Sequence, residues 1–391
     1  MNKNLILILT IISCSLFFLS GCRDNPSDVG LEFISNDTLG TLILDSEKDS
    51  ILIANNNILK YINTQASTSI LVGKYQNYDA VPLLLFQNIS PDYDSATVLQ
   101  ASLNLKYNGY NYQDSLGLTS FNIYKINKSY DLYSVTYDKF SFSDLGSTVL
   151  GSYSGTPVDT QWISIALDNQ LVKDWLEYAA DTNYYNKNYG IALVPNLNST
   201  TIKGFSSIYS PTSAFVPYLK VVLNKNSSTD TIFITNPVSV SLCNITNIVV
   251  PQDRFIIQSG ISYKNKFTFN LSKLPSNVII NEAYFEITLD RANSFLTNGY
   301  DSRVAVNMIT DSNNLTIDPN TFITTQLDSI RYAVRLNYIF QKWNYGINAN
   351  FGILLSNIYE YNSLDKYLFY SPNYPDPARR PHLRIRYTKK N

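Results

Sequence analysis

Histidine is almost missing from this chain: His382 is the only one among 391 residues. That scarcity removes much of the catalytic repertoire. A Ser-His-Asp or Cys-His mechanism needs a base oriented by a third group. His382 stands where a sister segment carries Tyr218, so a solvent-facing strand position is its simpler role. No HExxH occurs, which excludes the two-histidine zinc site of a helix. Neither a Walker loop nor a G-x-G-x-x-G run is present. GSYSG (151–155) has the outline of a nucleophile elbow, but Tyr153 fills its centre and leaves a turn. No residue is therefore assigned as catalytic or metal-ligating, and no cofactor is expected. Charge is sparse too, at 16%, with 30 basic residues against 31 acidic ones. That near balance excludes a dedicated nucleic-acid binder, which needs a basic face.

Cysteine is nearly as scarce, with Cys14, Cys22 and Cys243. The front of the chain explains two of them. Lys3 precedes a short apolar run, LILILTIISCSLFFL, and small residues follow it, as in a secretory signal. The run is too short for an ordinary membrane-spanning helix. Leu19-Ser20-Gly21-Cys22 resembles the bacterial lipobox. That resemblance implies removal of residues 1–21 and acylation of Cys22, where each buried CH₂ contributes ~0.8 kcal/mol to anchoring. Arg23 rather than aspartate follows Cys22. In the sorting logic of such lipoproteins this points to the outer membrane, facing either the periplasm or the cell surface. Cys14 then leaves with the signal and Cys22 carries lipid. Cys243 remains alone, expected as a small buried apolar residue with no disulfide partner.

What the chain does have is β-forming residues and turn residues. Tyrosine reaches 30 residues, and Tyr, Thr, Val and Ile favour strands while Asn, Asp and Gly supply turns. Two segments alternate with period two: ASLNLKY (101–107) and AYFEITL (283–289). Other landmarks recur in the same order. Leu167, Leu171 and Trp175 share helical spacing, as do Leu336, Ile339 or Phe340, and Trp343, and each set predicts a short helical turn ending at tryptophan. NYGIAL (188–193) is followed by FSS (205–207), and NFGILL (350–355) by FYS (369–371). FVPYLKVVL and RRPHLRIRY close the two copies. The expected fold is all-β: two tandem antiparallel β-sandwich domains, jelly-roll-like, each with a short helical turn. Residues 22–40 read as a lipidated flexible tether, 41–224 as the first domain with its repeat starting near 69, 225–231 as a polar linker, and 232–388 as the second domain.

The pattern A-x-L-x-L, W, N-Y-G-x-x-L, F-x-S and P-x-L-x-V resembles the DNRLRE-type domains of secreted bacterial proteins. The resemblance rests on Trp175, Gly190, Phe205, Ser207, Pro217 and Leu219 in the first copy, and on Trp343, Gly352, Phe369, Ser371, Pro381 and Leu383 in the second. It implies jelly-roll sandwiches akin to a module that recognises acidic polysaccharides. A basic–acidic pair often follows F-x-S in that family; here Ile208-Tyr209 and Pro372-Asn373 stand instead. SDVGLEFISNDT and TSILVGKY, with the lipobox, are also similar to Bacteroidota lipoproteins of unknown function.

Candidate chemistry is thin. Asp92 with Asp94, or Glu282 with Glu286, are carboxylate pairs by residue type, for glycoside hydrolysis or (Asp92, Asp94) for calcium, against plain surface solvation. The better binding signal is tyrosine beside asparagine. YNGYNYQD offers Tyr110 and Tyr112, and NYYNKNYG offers Tyr184 and Tyr185. Rings stack on the C–H faces of sugars while amides bond the hydroxyls; the same residues also anchor protein contacts or pack. Arg384 and Arg386 share the outward face of the last strand, suited to an acidic glycan or to guarding a sheet edge. Trp162, Trp175 and Trp343 are expected in the core. The sequence thus points to a non-catalytic, lipid-anchored envelope protein that binds polysaccharide or a partner protein. The alternatives are a structural or adhesion component and a carbohydrate-active enzyme.

Overall fold

A computed structural model describes residues 40–298 and 300–389. The expected signal peptide, Cys22 and the expected tether up to residue 39 lie outside the described residues. Ile43–Lys390 forms one compact unit. In chain order its strands are β1 (Leu42–Asp45), β2 (Leu52–Leu59), β3 (Ser69–Tyr75), β4 (Tyr78–Leu85), β5 (Thr97–Tyr112), β6 (Thr119–Lys125), β7 (Gly151–Gly155), β8 (Trp162–Leu167), β9 (Ile191–Pro195), β10 (Ile202–Ser206), β11 (Tyr218–Lys225) and β12 (Ser228–Thr235). They continue with β13 (Val238–Ile245), β14 (Arg254–Gln258), β15 (Tyr263–Phe269), β16 (Ile279–Thr288), β17 (Val304–Asp311), β18 (Thr316–Ile323), β19 (Thr325–Gln326), β20 (Arg331–Arg335), β21 (Ile353–Asn357), β22 (Lys366–Tyr370) and β23 (His382–Thr388). The helices are α1 (Ser46–Asp49), α2 (Asn169–Ala180) and α3 (Asn337–Asn344). The fold is all-β, with antiparallel sheets packed face to face.

The recurring landmarks occupy matching places. In β5, Ala101 and Leu103 pair with Val221 and Leu219 of β11; in β16, Ala283 and Phe285 pair with Ile385 and Leu383 of β23. Trp175 of α2 packs on Phe86, and Trp343 of α3 on Phe269, with both indoles buried. Gly190 and Gly352 have φ of 87° and 92°, and a Cβ on either would collide with the carbonyl of Leu84 or of Phe267. Only glycine tolerates that approach together with that backbone. The Ser207 hydroxyl donates to the Ser67 carbonyl, as the Ser371 hydroxyl does to that of Gln252.

Which strands complete each sandwich differs from the expectation. One apolar core gathers Leu103, Phe121, Trp175, Leu193, Phe205 and Leu219 from the first repeat; the other gathers Phe255, Phe267, Phe285, Trp343, Phe369 and Leu383 from the second. Of the segment 41–68, expected with the first domain, the front part through β2 joins the second half instead, while Asn63 and Thr64 bond to Leu132, Val135 and Ser241 of the first. β2 pairs along β15, β1 lies beside β23, and Leu44 and Ile51 are buried in the second core. Conversely β12 pairs with β11 and β13 with β4, so residues 228–245 complete the first half. The two leading strands of each repeat thus sit on the other half's sheets. Local alternation cannot reveal this, because an apolar strand face fits either sandwich equally well.

Further local differences follow from turn and cap chemistry. The stretch read as a linker, 225–231, is a tight hairpin: Lys225 pairs with Ser228, and the two loop residues Asn226 and Ser227 both have positive φ. That is the type I′ geometry favoured between twisted strands. α2 runs beyond Trp175 to Ala180, started by Asp168, whose carboxylate accepts the Leu171 amide at 3.0 Å. GSYSG is strand β7, paired with β6, rather than a turn. Trp162 lies half-buried on an outer sheet face, beside Tyr218 at 5.3 Å, rather than in the core. Cys243 is free and buried, and burial pushes its thiol up to about 12.

Candidate functional site

β5 is long enough to serve two purposes. Thr97–Lys106 pairs with β8 and β11; beyond it, the strand continues beside β10 into the seam between the halves. There Tyr112 packs edge-on against Phe295 at 4.6 Å, within a shared apolar cluster that includes Leu71, Ile202, Cys243, Ile256 and Leu364. Above this cluster the seam opens as a cleft of about 990 Å³. One wall comes from residues 108–115 and Asp159, the other from 295–298, 300–302 and 357–367. Hydrogen bonds stitch the walls together. The Tyr110 hydroxyl accepts the Leu364 amide at 2.8 Å, and the Asn362 carbonyl oxygen accepts the Thr68 amide at 3.1 Å.

The cleft lining is rich in amides, hydroxyls and phenols, including Asn108, Asn111, Asn298, Tyr300, Tyr359 and Tyr367. Each amide brings two donors and one acceptor. Tyr367 is anchored by its hydroxyl, which donates to the Asp301 carbonyl at 2.5 Å. Tyr359 stands exposed at the cleft. The formal charges on the lining are all carboxylates: Asp159, Asp301 and Asp365. Asp301 is gripped by Arg303, with the two guanidinium nitrogens at 2.9 and 2.7 Å, and this pairing holds its carboxyl below the usual range. Asp365 is buried, and desolvation pushes its carboxyl above the usual range although Thr297 donates to it through backbone and hydroxyl at 3.0 Å.

The residues expected from the sequence are scattered. Tyr110 lines the cleft, but on a strand rather than a loop, with its hydroxyl committed across the seam. Burial pushes that phenol well above its ordinary value. Tyr112 is 1% exposed and belongs to the apolar seam, so it is not available to a ligand; this corrects the expectation. Tyr184 and Tyr185 pack on each other at 4.6 Å, and Tyr184 donates to Asp174 at 3.2 Å; neither is on the cleft lining. Arg384 and Arg386 lie on β23 beside Tyr284 and Glu282 of β16, and Glu282 is 3.5 Å from Arg386. That strand is flanked on both sides, by β1 and β16, so it is not a bare edge. Asp94 pairs with Lys225 at 2.7 Å and Glu286 with Arg331 at 3.9 Å, both away from the cleft. His382 is half-buried, with Nε2 2.8 Å from Asp45. Asp45, Glu47 and His382 are close enough to share a cation, but Asp45 is already engaged by His382 and by the Glu47 amide.

Sequence reasoning missed Asp159, Tyr300, Asp301, Tyr359, Asp365 and Tyr367. A signal existed: TNGYDS and NIYEYNSLDKY repeat the tyrosine–asparagine composition singled out in the first copy. No family model matches the chain, and no curated protein or solved structure matches it either.

Proposed function

We propose that this protein is a non-catalytic glycan-binding component of the cell envelope, held at the outer membrane through acylated Cys22 and taking its ligand in the seam cleft. The observation that carries the reading is the cleft itself. Its volume of about 990 Å³ is at the upper end of the range for ligand pockets, and its wall is made mainly of tyrosines and small polar side chains, with Phe295 and Leu296 as its large phenyl and aliphatic groups. Tyrosine presents a ring to sugar C–H faces, while Asn, Ser and Thr bond hydroxyls in either sense. The landmark residues Trp175, Gly190, Trp343 and Gly352 serve as framework. The ligand site then lies between the repeats rather than on either.

The test is retention of the detergent-solubilised full chain in affinity gels carrying polysaccharides. Tyr359→Ala, an exposed change at the cleft, is expected to weaken retention roughly three- to tenfold, as loss of one stacking contact would. Retention by no glycan at all refutes the reading. For location, Cys22→Ser is expected to abolish palmitate labelling, and continued labelling refutes the anchor.

A further inference from the structure

Resting on that reading, we infer that the cleft selects neutral oligosaccharides and rejects acidic ones. The resemblance drawn from the sequence implies acidic polysaccharides, and the arginine row of β23 fits that idea; the charges at the cleft argue the opposite. Among the described residues its lining contributes Asp159, Asp301 and Asp365 and no Lys or Arg. Three cations beside it have contacts of their own. Arg303 is bidentate on Asp301. Arg291 lies over the Tyr300 ring at 5.1 Å. Lys203 is fully buried beneath the wall and donates to the Ser115 carbonyl at 2.6 Å.

A uronate or sulfate entering the cleft would therefore meet the exposed Asp159 carboxylate, with Asp301 already paired to Arg303 and no cation on the described lining to receive it. Juxtaposed like charges at an interface cost several kcal/mol, against a neutral sugar whose hydroxyls the amides and carboxylates can bond directly. Carboxylates are good acceptors for sugar hydroxyls, and charge-assisted bonds of this kind are stronger than neutral ones. Asp159 is the exposed member, standing against Gly109 at the cleft. It is the residue through which selectivity can be changed without disturbing the seam.

The experiment compares the detergent-solubilised full chain against two panels in the same titration format. One holds mannan, xylan and β-glucan oligosaccharides, the other oligogalacturonate and alginate fragments of matched length. Neutral fragments are expected to bind at least about tenfold more tightly than acidic ones at low salt, the discrimination of a single unfavourable charge contact. Asp159→Lys is expected to narrow that gap, and the narrowing to fade as salt screens it. Preferential binding of the acidic panel overturns this inference while leaving glycan binding standing. Binding of neither panel overturns the glycan reading itself. An Asp159→Lys chain with unchanged preference in low salt removes the electrostatic argument.

Discussion

Ile51 provides the sharpest test of the strand exchange. It precedes β2, near the front of the chain, yet is 1% exposed in the core built by Phe267, Phe269 and Phe285. Its carbonyl accepts the Asn270 amide at 2.8 Å, tying it to the end of β15. Ile51→Ala removes buried carbons and leaves a cavity, which costs about 2–5 kcal/mol in well-packed cores. Read as an opening equilibrium, that is a factor of roughly 30 or more. Hydrogen exchange followed by mass spectrometry reports such openings segment by segment. Faster exchange is expected in β14, β15 and β16, about 200 residues away along the chain, with smaller change in β4 and β9. Ile234→Ala, buried in the first core through β12, should produce the reverse pattern. Ile51→Ala with β3 and β4 loosened and β15 still protected would refute the exchange.

Two further outcomes follow. Tyr110→Phe leaves the Leu364 amide without the acceptor that now meets it at 2.8 Å, and the urea midpoint is expected to fall by the equivalent of ~1–3 kcal/mol with glycan affinity retained; lost affinity at unchanged stability would make Tyr110 a ligand contact instead. Asp365→Asn removes a carboxyl that burial holds above the usual range. Such a group binds more protons folded than unfolded, so its contribution to stability falls as pH rises from the ordinary carboxylate value through the folded one. The variant is expected to gain stability over the parent at pH 7 and lose that gain toward pH 3 in thermal melts; a gain independent of pH would refute the assignment.

The repeated framework was legible because its signals are local. Alternation in ASLNLKY and AYFEITL fixes which side chains face inward, and a glycine at positive φ followed by an apolar strand marks the same corner twice. Turn chemistry was harder. Asn226-Ser227 looks like linker composition because the residues that permit positive φ are also the residues of flexible polar segments. The partner of each strand was not legible at all. β13 is buried along its whole length while β2 is only partly covered, and nothing in LIANNNIL or VSVSLCNI states which sheet will receive either. The cleft inherits that difficulty, since Asn108 and Asp159 meet Asp301 and Asp365 only after both halves have assembled. Tyr110 and Tyr112 illustrate the limit. Two residues apart on one strand, they share a face, and only the depth of the seam makes one a wall and the other core.

The exchange also bears on how such a cleft could bind. Sugar contacts are individually weak, and ordering a mobile site on binding consumes much of what they supply. Here the walls belong to different halves, so any hinge at the seam would widen or close the cleft. Reciprocal strands oppose that motion. β13 runs from the seam cluster along β4, while β2 runs along β15, so parting the halves would pull each repeat's leading strands away from the sheets that hold them. The Tyr110–Leu364 and Asn362–Thr68 hydrogen bonds then act on walls already fixed in register. If the cleft takes a ligand, the spacing of its walls is set by strand pairing and by the Tyr110 and Asn362 hydrogen bonds, which leaves the remaining polar lining free to vary.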